Sequence, residues 1–380
     1  MIAVIGVYVK DHKILRKKIV EDKIMNYIAT WIYLDKKGEE TNFPQTSMLS
    51  SSKEHQDIYW RCVYVFFKFA KRYLTYCEFL LFTNCSEASV VVDGLDLIEE
   101  LKKMGVRIIV RDFTFKLPNG YYGSWGNQLY EFDILDEFVK RFPKDSKLLM
   151  LDSDCLIMKD VAPLFGMLDN SPAVTYWGDD YFGCSEDVDI NGITERDMTN
   201  LANEYLGANM DRIHYMNGEF FCARYDFIER VVQEFPSLYK FMIGKFEANP
   251  KAECVKFNEE AHFLSFFYAK HSISCYVREE WIKRMWTADF YYRVKDGDEN
   301  IPIWHVLSGK HRYVLFIKDI DKMLAKPQAY VVKKMKSIFF QKDSWFLRKM
   351  QRKENFFFRV LRFVNKKTHA LAVAKRIIGK

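Results

Sequence analysis

Apolar positions along the first half of the chain switch repeatedly between the two periods of secondary structure. Ile2–Val9 is a β-branched run that predicts a buried strand, and the polar stretch 44–56 predicts a surface loop. Ile58–Tyr76 carries apolar residues at helical spacing. Glu78–Thr83 reads as a strand, 94–104 as a helix stopped by Gly105, and Val106–Arg111 as another strand. Asn127–Phe142 predicts a helix closed by Pro143, and Lys147–Leu151 a fully buried strand. Strands alternating with helices predict an α/β fold with a mostly parallel central sheet flanked by helices. The second half is less regular. Val174–Trp177, Tyr215–Arg224 (interrupted by Gly218) and Ile301–Val306 read as strands, and Phe227–Tyr239 and Phe257–Tyr268 as helices.

Composition narrows the class. With 49% hydrophobic and 28% charged residues, the chain builds a packed core and is not a disordered protein. Its eight cysteines contain no C-x-x-C pair, which argues against a zinc ribbon or thioredoxin-type site and for buried thiols in a reducing compartment. The apolar start has no basic region before it and reads as a strand, not a signal peptide. No run of about 18 uncharged apolar residues predicts a spanning helix.

The net charge of +6 divides unevenly. Residues 331–380 hold 15 Lys+Arg against 2 Asp+Glu, a net of +13, which leaves 42 against 49 and a net of −7 for the other 330. Phe357, Val360, Leu361, Val364 and Leu371 recur at helical spacing beside Arg359, Arg362, Lys366 and Arg376, with Trp345 as an interfacial anchor. That pattern predicts an amphipathic helix on an anionic membrane surface. Nucleic-acid binding and a solvated helix without a partner are the rival readings. The aliphatic and Phe content favours the membrane, with no nucleic-acid partner. Two units are expected: 1–320, and a basic tail over 321–380.

The strongest chemical signal is LLMLDSDCLIMKDVAPLF, residues 148–165. Asp152 and Asp154 follow a buried strand, and sites in parallel sheets lie at the carboxyl ends of strands. Two carboxylates one residue apart suit a hard cation such as Mn2+ or Mg2+. D-x-D alone is also an ordinary turn sequence.

Taken with three later segments, this region resembles the GT-A fold nucleotide-sugar glycosyltransferases, particularly the family 8-like branch. The D-x-D strand is followed by Asp160-Val161-Ala162-Pro163-Leu164, then by Met216-Asn217-Gly218-Glu219-Phe220-Phe221, by Asn258-Glu259-Glu260-Ala261-His262, and by Trp304-His305 with Gly309-Lys310. The resemblance spans roughly residues 1–315. It implies a GT-A (Rossmann-like) fold and transfer of a hexose from a UDP-sugar to a saccharide or lipid-linked acceptor, as in bacterial surface polysaccharide assembly. The enzyme would be peripheral at the cytoplasmic face of a membrane. It implies Asp152, Asp154 and His305 as metal ligands. Donor-binding roles fall to Tyr8, Trp125, Gln128, Asp152, Ser153, Asp154, Gly218, Gly309 and Lys310, and catalytic roles to Glu259, Glu260 and Asn217. The sequence departs from the family pattern in three places. Trp125-Gly126-Asn127-Gln128 has only neutral groups before the D-x-D strand, one extra residue separates His305 from Gly309, and Asn258-Glu259-Glu260 replaces the commoner Asp-Gln-Asp. Asn217-Gly218 also reads as a hairpin turn, and Glu259 and Glu260 as helix-start acids favoured by the dipole. Two other functions stay open: a non-catalytic GT-A scaffold at the membrane, and a metal-dependent phosphoesterase.

Overall fold

The computed structural model describes residues 25–43, 46, 48–178, 185–250, 254–285, 296–307 and 309–340. The strand expected at Ile2–Val9, the proposed donor contact Tyr8 and most of the basic tail lie outside the described residues.

The chain runs β1 (Asn26–Ile32), α1 (Lys53–Tyr73), β2 (Glu78–Thr83), β3 (Val91–Val92), β4 (Leu95–Asp96), α2 (Leu97–Lys103), β5 (Val106–Val110), α3 (Tyr130–Arg141), β6 (Lys147–Leu151) and β7 (Cys155–Ile157). It continues through α4 (Ala162–Met167), β8 (Ala173–Tyr176), α5 (Glu195–Leu206), β9 (Phe220–Arg224), α6 (Tyr225–Ala248), α7 (Glu260–Lys270), β10 (Tyr276–Val277), β11 (Ile282–Arg284), β12 (Ile303–His305), α8 (Ile320–Leu324) and α9 (Gln328–Phe339). The central sheet has the order β10-β8-β9-β6-β1-β2-β5. Pairings β6–β1, β1–β2, β2–β5 and β8–β10 are parallel, and β9 runs antiparallel to both β6 and β8. This is the α/β architecture with a mostly parallel sheet flanked by helices that the hydrophobic pattern predicts.

Both faces of the sheet are buried because neighbouring residues of each strand point to opposite sides. In β6, Leu149 and Leu151 join Ile28 and Leu81 under α1 and α2, whereas Leu148 and Met150 join Tyr27, Ala29, Leu80 and Phe82 under α3, α6 and α7. That two-sided burial produces the unbroken apolar run of β6. A second, three-stranded sheet, β11-β12-β7, branches off after the D-x-D turn.

One strand went unforeseen, and one expected loop is shorter than its polar composition suggests. The central strand beside β6 is Asn26–Ile32, a segment whose Asn26, Ala29 and Thr30 dilute any strand signature. The loop expected over 44–56 ends earlier, because Ser52 caps α1 by accepting from His55 N. Packing continues across residues 320 and 321. Val331, Met335, Ile338 and Phe339 of α9 bury into the body, Phe340 stacks on Trp304 with ring centroids 4.8 Å apart, and Arg312 Nη1 donates to Ile338 O at 2.9 Å. The body therefore extends through at least Phe340. Among the described residues, no helix is long and apolar enough to cross a membrane.

Candidate active site

The backbone of the turn after β6 is held by four hydrogen bonds, two from side chains and two from other backbone groups. Thr30 Oγ1 donates to Leu151 O at 2.8 Å, Asp152 N to Glu219 O at 3.2 Å, Val306 N to Asp154 O at 3.0 Å, and Tyr313 OH to Asp154 O at 3.3 Å. The register of the small sheet then brings remote residues beside it. Cys155 pairs with His305, and His305 with Arg284. Paired residues share a face of a sheet, so two segments remote in sequence, β11 and β12, converge on the D-x-D.

His305 Nε2 lies 3.1 Å from Asp154 Oδ1 and 3.7 Å from Asp152 Oδ2, while Nδ1 faces Glu219 Oε1 at 3.3 Å. Arg284 grips Glu219 with both arms of its guanidinium, at 2.6 and 2.7 Å. Lys310 Nζ reaches Asp154 Oδ2 at 2.7 Å and Tyr59 OH at 3.1 Å. Burial alone would lower the pKa of His305, but Asp154 and then Glu219 outweigh it and raise it to about 10. Burial would likewise raise Asp154 and Glu219, yet the adjacent cations hold both well below the usual carboxylate range. The Asp152 side chain keeps 35% of its surface exposed, and desolvation together with the Asp154 charge raises it to about 6.

These residues line a cavity of about 300 Å3. Its walls include Trp125, Gln128, Asp152, Ser153, Asp154, Gly218, Glu259, Glu260, His305 and Lys310, so the fold gathers ten of the residues that the sequence singles out. Gly218 lies close against Glu260: a Cβ would lie 2.0 Å from Glu260 Oε1, so that carboxyl would have to move. Glu259 accepts from Asn191 Nδ2 at 2.7 Å and from Tyr215 OH at 2.8 Å. Glu260 is buried with Oε2 unpartnered among the described residues, and desolvation followed by the Glu131 charge pushes its carboxyl well above the ordinary range.

Two residues are placed elsewhere. Asn217 is absent from the cavity wall, and its Oδ1 instead accepts from Gly178 N at 3.0 Å, tying the ends of β8 and β9 together. Gly309 is a packing glycine, since a Cβ would meet Phe339 at 2.8 Å and Val306 at 2.9 Å. Sequence reasoning missed Tyr59, Glu219, Arg284 and the buried Glu131, whose Oε1 accepts from Trp31 Nε1 at 3.1 Å. A lone acid ahead of the apolar run of β9 was the available signal for Glu219. Nothing local marks Arg284.

The donor set suits a metal ion. One ligand atom each from Asp154, Cys155 and His305 lies within 4.8 Å of the others, and Asp152 Oδ2 stands beside them. An imidazole facing carboxylates through one nitrogen and a clamped carboxylate through the other is the arrangement that orients a metal-binding histidine. Burial, then the Asp154 charge, pushes the Cys155 thiol well up while no cation is bound beside it. A scan of the chain against protein-family models and a search of curated proteins return no match.

Proposed function

We propose that this protein is a metal-dependent GT-A glycosyltransferase that moves a hexose from a UDP-sugar to a saccharide or lipid-linked acceptor. The observation that carries the reading is the convergence of Asp152, Asp154, His305 and Lys310 at the carboxyl end of β6, in one cavity with Glu259 and Glu260. Asp152, Asp154 and His305 would hold Mn2+ or Mg2+, hard cations suited to oxygen and imidazole donors. The bound cation would supply Lewis-acid neutralisation of the diphosphate leaving group.

The protein groups divide the remaining work. Glu219, clamped by Arg284, fixes the His305 ring so that Nε2 faces the D-x-D. Lys310 carries a point charge next to Asp154 and is available to a diphosphate once Asp154 is otherwise engaged. Glu259 is held by Asn191 and Tyr215 and presents a fixed carboxylate to hydroxyl groups or to developing positive charge at the reacting carbon.

The test is titration of the purified full chain with UDP and Mn2+, followed by UDP release from a panel of nucleotide sugars. Binding of UDP that needs the metal, and turnover of at least one donor, is the expected result. A chain that neither binds nor hydrolyses any member of the panel overturns the proposal. The neutral groups of Trp125-Gly126-Asn127-Gln128, where a basic residue near the donor is common in the family resembled, favour one alternative, a binding-competent scaffold without turnover, which would bind UDP and Mn2+ yet release nothing.

Membrane association through the basic residues of 331–380 belongs to the same reading, because a lipid-linked acceptor requires that location. It would make the enzyme peripheral at the cytoplasmic face.

A further inference from the structure

The chain around the start of α7 does more than deliver Glu259 and Glu260. Asn258 Nδ2 donates to Asn191 O at 2.9 Å, and Asn258 Oδ1 accepts from Lys256 Nζ at 3.1 Å. Asn258 N donates to His262 Nδ1 at 3.2 Å. Desolvation lowers the pKa of His262, and a ring that accepts at Nδ1 carries its proton on Nε2, which donates to Ile190 O at 3.0 Å. Lys256, Asn258 and His262 are all buried. Together they latch a turn over residues 190–193, in which Ile190 and Ile193 bond to each other in both directions and Asn191 and Gly192 both have positive φ, 52° and 92°. Asn-Gly is the ordinary dipeptide of such a turn, and a turn asparagine commonly bonds backbone close by. Here Asp189 takes that local role, its Oδ1 accepting from Gly192 N at 3.2 Å. The Asn191 side chain instead crosses 68 residues of sequence, and its Nδ2 lies 2.7 Å from both Oε1 and Oε2 of Glu259. Asn191, Tyr215 and Glu259 all line the cavity.

Resting on the reading above, we infer that Asn191 is a positioning residue for the transfer step: the latched turn holds its amide where it fixes the direction of the Glu259 carboxylate at the cavity wall. A glutamate carboxyl hangs on three rotatable bonds. One amide nitrogen set against both oxygens, with Tyr215 OH donating to Oε1 at 2.8 Å, removes that freedom before a substrate arrives. Misplacing a reacting group by about 1 Å costs on the order of 100-fold in rate. Loss of the Asn191 amide therefore acts on turnover through Glu259, and leaves the nucleotide contacts around Asp152, Asp154 and Lys310 intact.

Asn191→Gly and Asn191→Asp test this in the full chain. Both residues accept left-handed backbone, so each preserves the turn, while Gly removes the amide and Asp replaces it by an acceptor. The measurements are UDP affinity in Mn2+ by calorimetry, thermal unfolding, and kcat for UDP release from whichever nucleotide sugar of the panel the natural protein turns over fastest. In both variants UDP should bind within three-fold of the natural affinity and unfolding should stay cooperative, while kcat falls at least five-fold. A residue that serves only the turn predicts unchanged kcat in both. If kcat falls less than five-fold in either variant, if UDP affinity falls in parallel with kcat, or if the variants lose cooperative unfolding, this inference alone is overturned. If the natural protein binds no UDP or releases none from any donor, the glycosyltransferase reading falls and this inference with it.

Discussion

Gly218→Ala tests how the site is built. The new Cβ would stand 2.0 Å from Glu260 Oε1, 3.0 Å from Glu260 Cδ and 3.3 Å from Ala261 Cβ. Non-bonded heavy atoms settle near 3.5 Å, so the carboxyl must retreat by about 1.5 Å. Glu260 starts α7 and is buried, so it escapes by leaving its rotamer or by swinging into the cavity it lines. Overpacking of this kind costs about 1–3 kcal/mol. Gly218 is not in the left-handed region of backbone space, so the cost comes from the contact and not from backbone strain. Urea unfolding followed by tryptophan fluorescence measures the loss, and the Gly218→Ala/Glu260→Ala double variant locates it. Removing the carboxyl frees the space, so the double variant should recover about 1 kcal/mol or more relative to the sum of the single effects, a coupling typical of touching residues. Additive single effects, or a Gly218→Ala protein within about 0.5 kcal/mol of the natural one, would refute the contact.

Other perturbations address different links. Arg284→Met leaves the buried Glu219 with His305 as its one adjacent cation among the described residues and should cost up to about 3–5 kcal/mol, and Arg284→Met/Glu219→Gln should recover much of it in the same unfolding assay. His55 is buried and its pKa is pushed down to about 4, chiefly by desolvation and secondarily by the Lys310 charge. The unfolded chain therefore binds the proton first, and stability present above about pH 6.5 is lost as pH falls toward 4. At roughly 1.4 kcal/mol per pH unit this contribution reaches at most about 3 kcal/mol, and it should disappear from the pH profile of His55→Gln. Glu131 has the opposite sign: desolvation, then the Asp152 charge, raises its pKa. The folded state keeps that proton while the unfolded state releases it, so stability falls as pH climbs above the ordinary glutamate range, and Glu131→Gln should flatten the slope. Flotation with anionic vesicles should separate the full chain from a form ending at residue 340, the cut that spares α9; equal flotation of the two would count against the membrane role of 341–380.

Local pattern carried much of the fold. The strands at 78–83 and 147–151 and the helix over 130–141 fall within or on the segments read from periodicity, because each has an uninterrupted apolar face. β1 escaped because a strand buried on both faces has no alternation, and Ala29 and Thr30 weaken its apolar run. α5 escaped because its apolar positions are sparse. Its signals were the Thr194–Asp197 capping box and Gly207 at the C-cap, with φ +61°.

The D-x-D was legible because a buried strand and a turn are contiguous in sequence. Its partners were legible only as scattered polar residues, because Asn-Gly and Gly-Lys look alike whether they bind, turn or pack. Glu219, Arg284 and Glu131 reach the site through strand register and helix packing, which join residues far apart in the chain. By itself the sequence determined the strongly patterned strands and helices and where the acidic turn lies, since those follow from nearest neighbours. Tertiary structure alone decided which carboxyls are neutralised and which stay without a cation, since a charge in low dielectric is governed by what stands within a few ångströms in space.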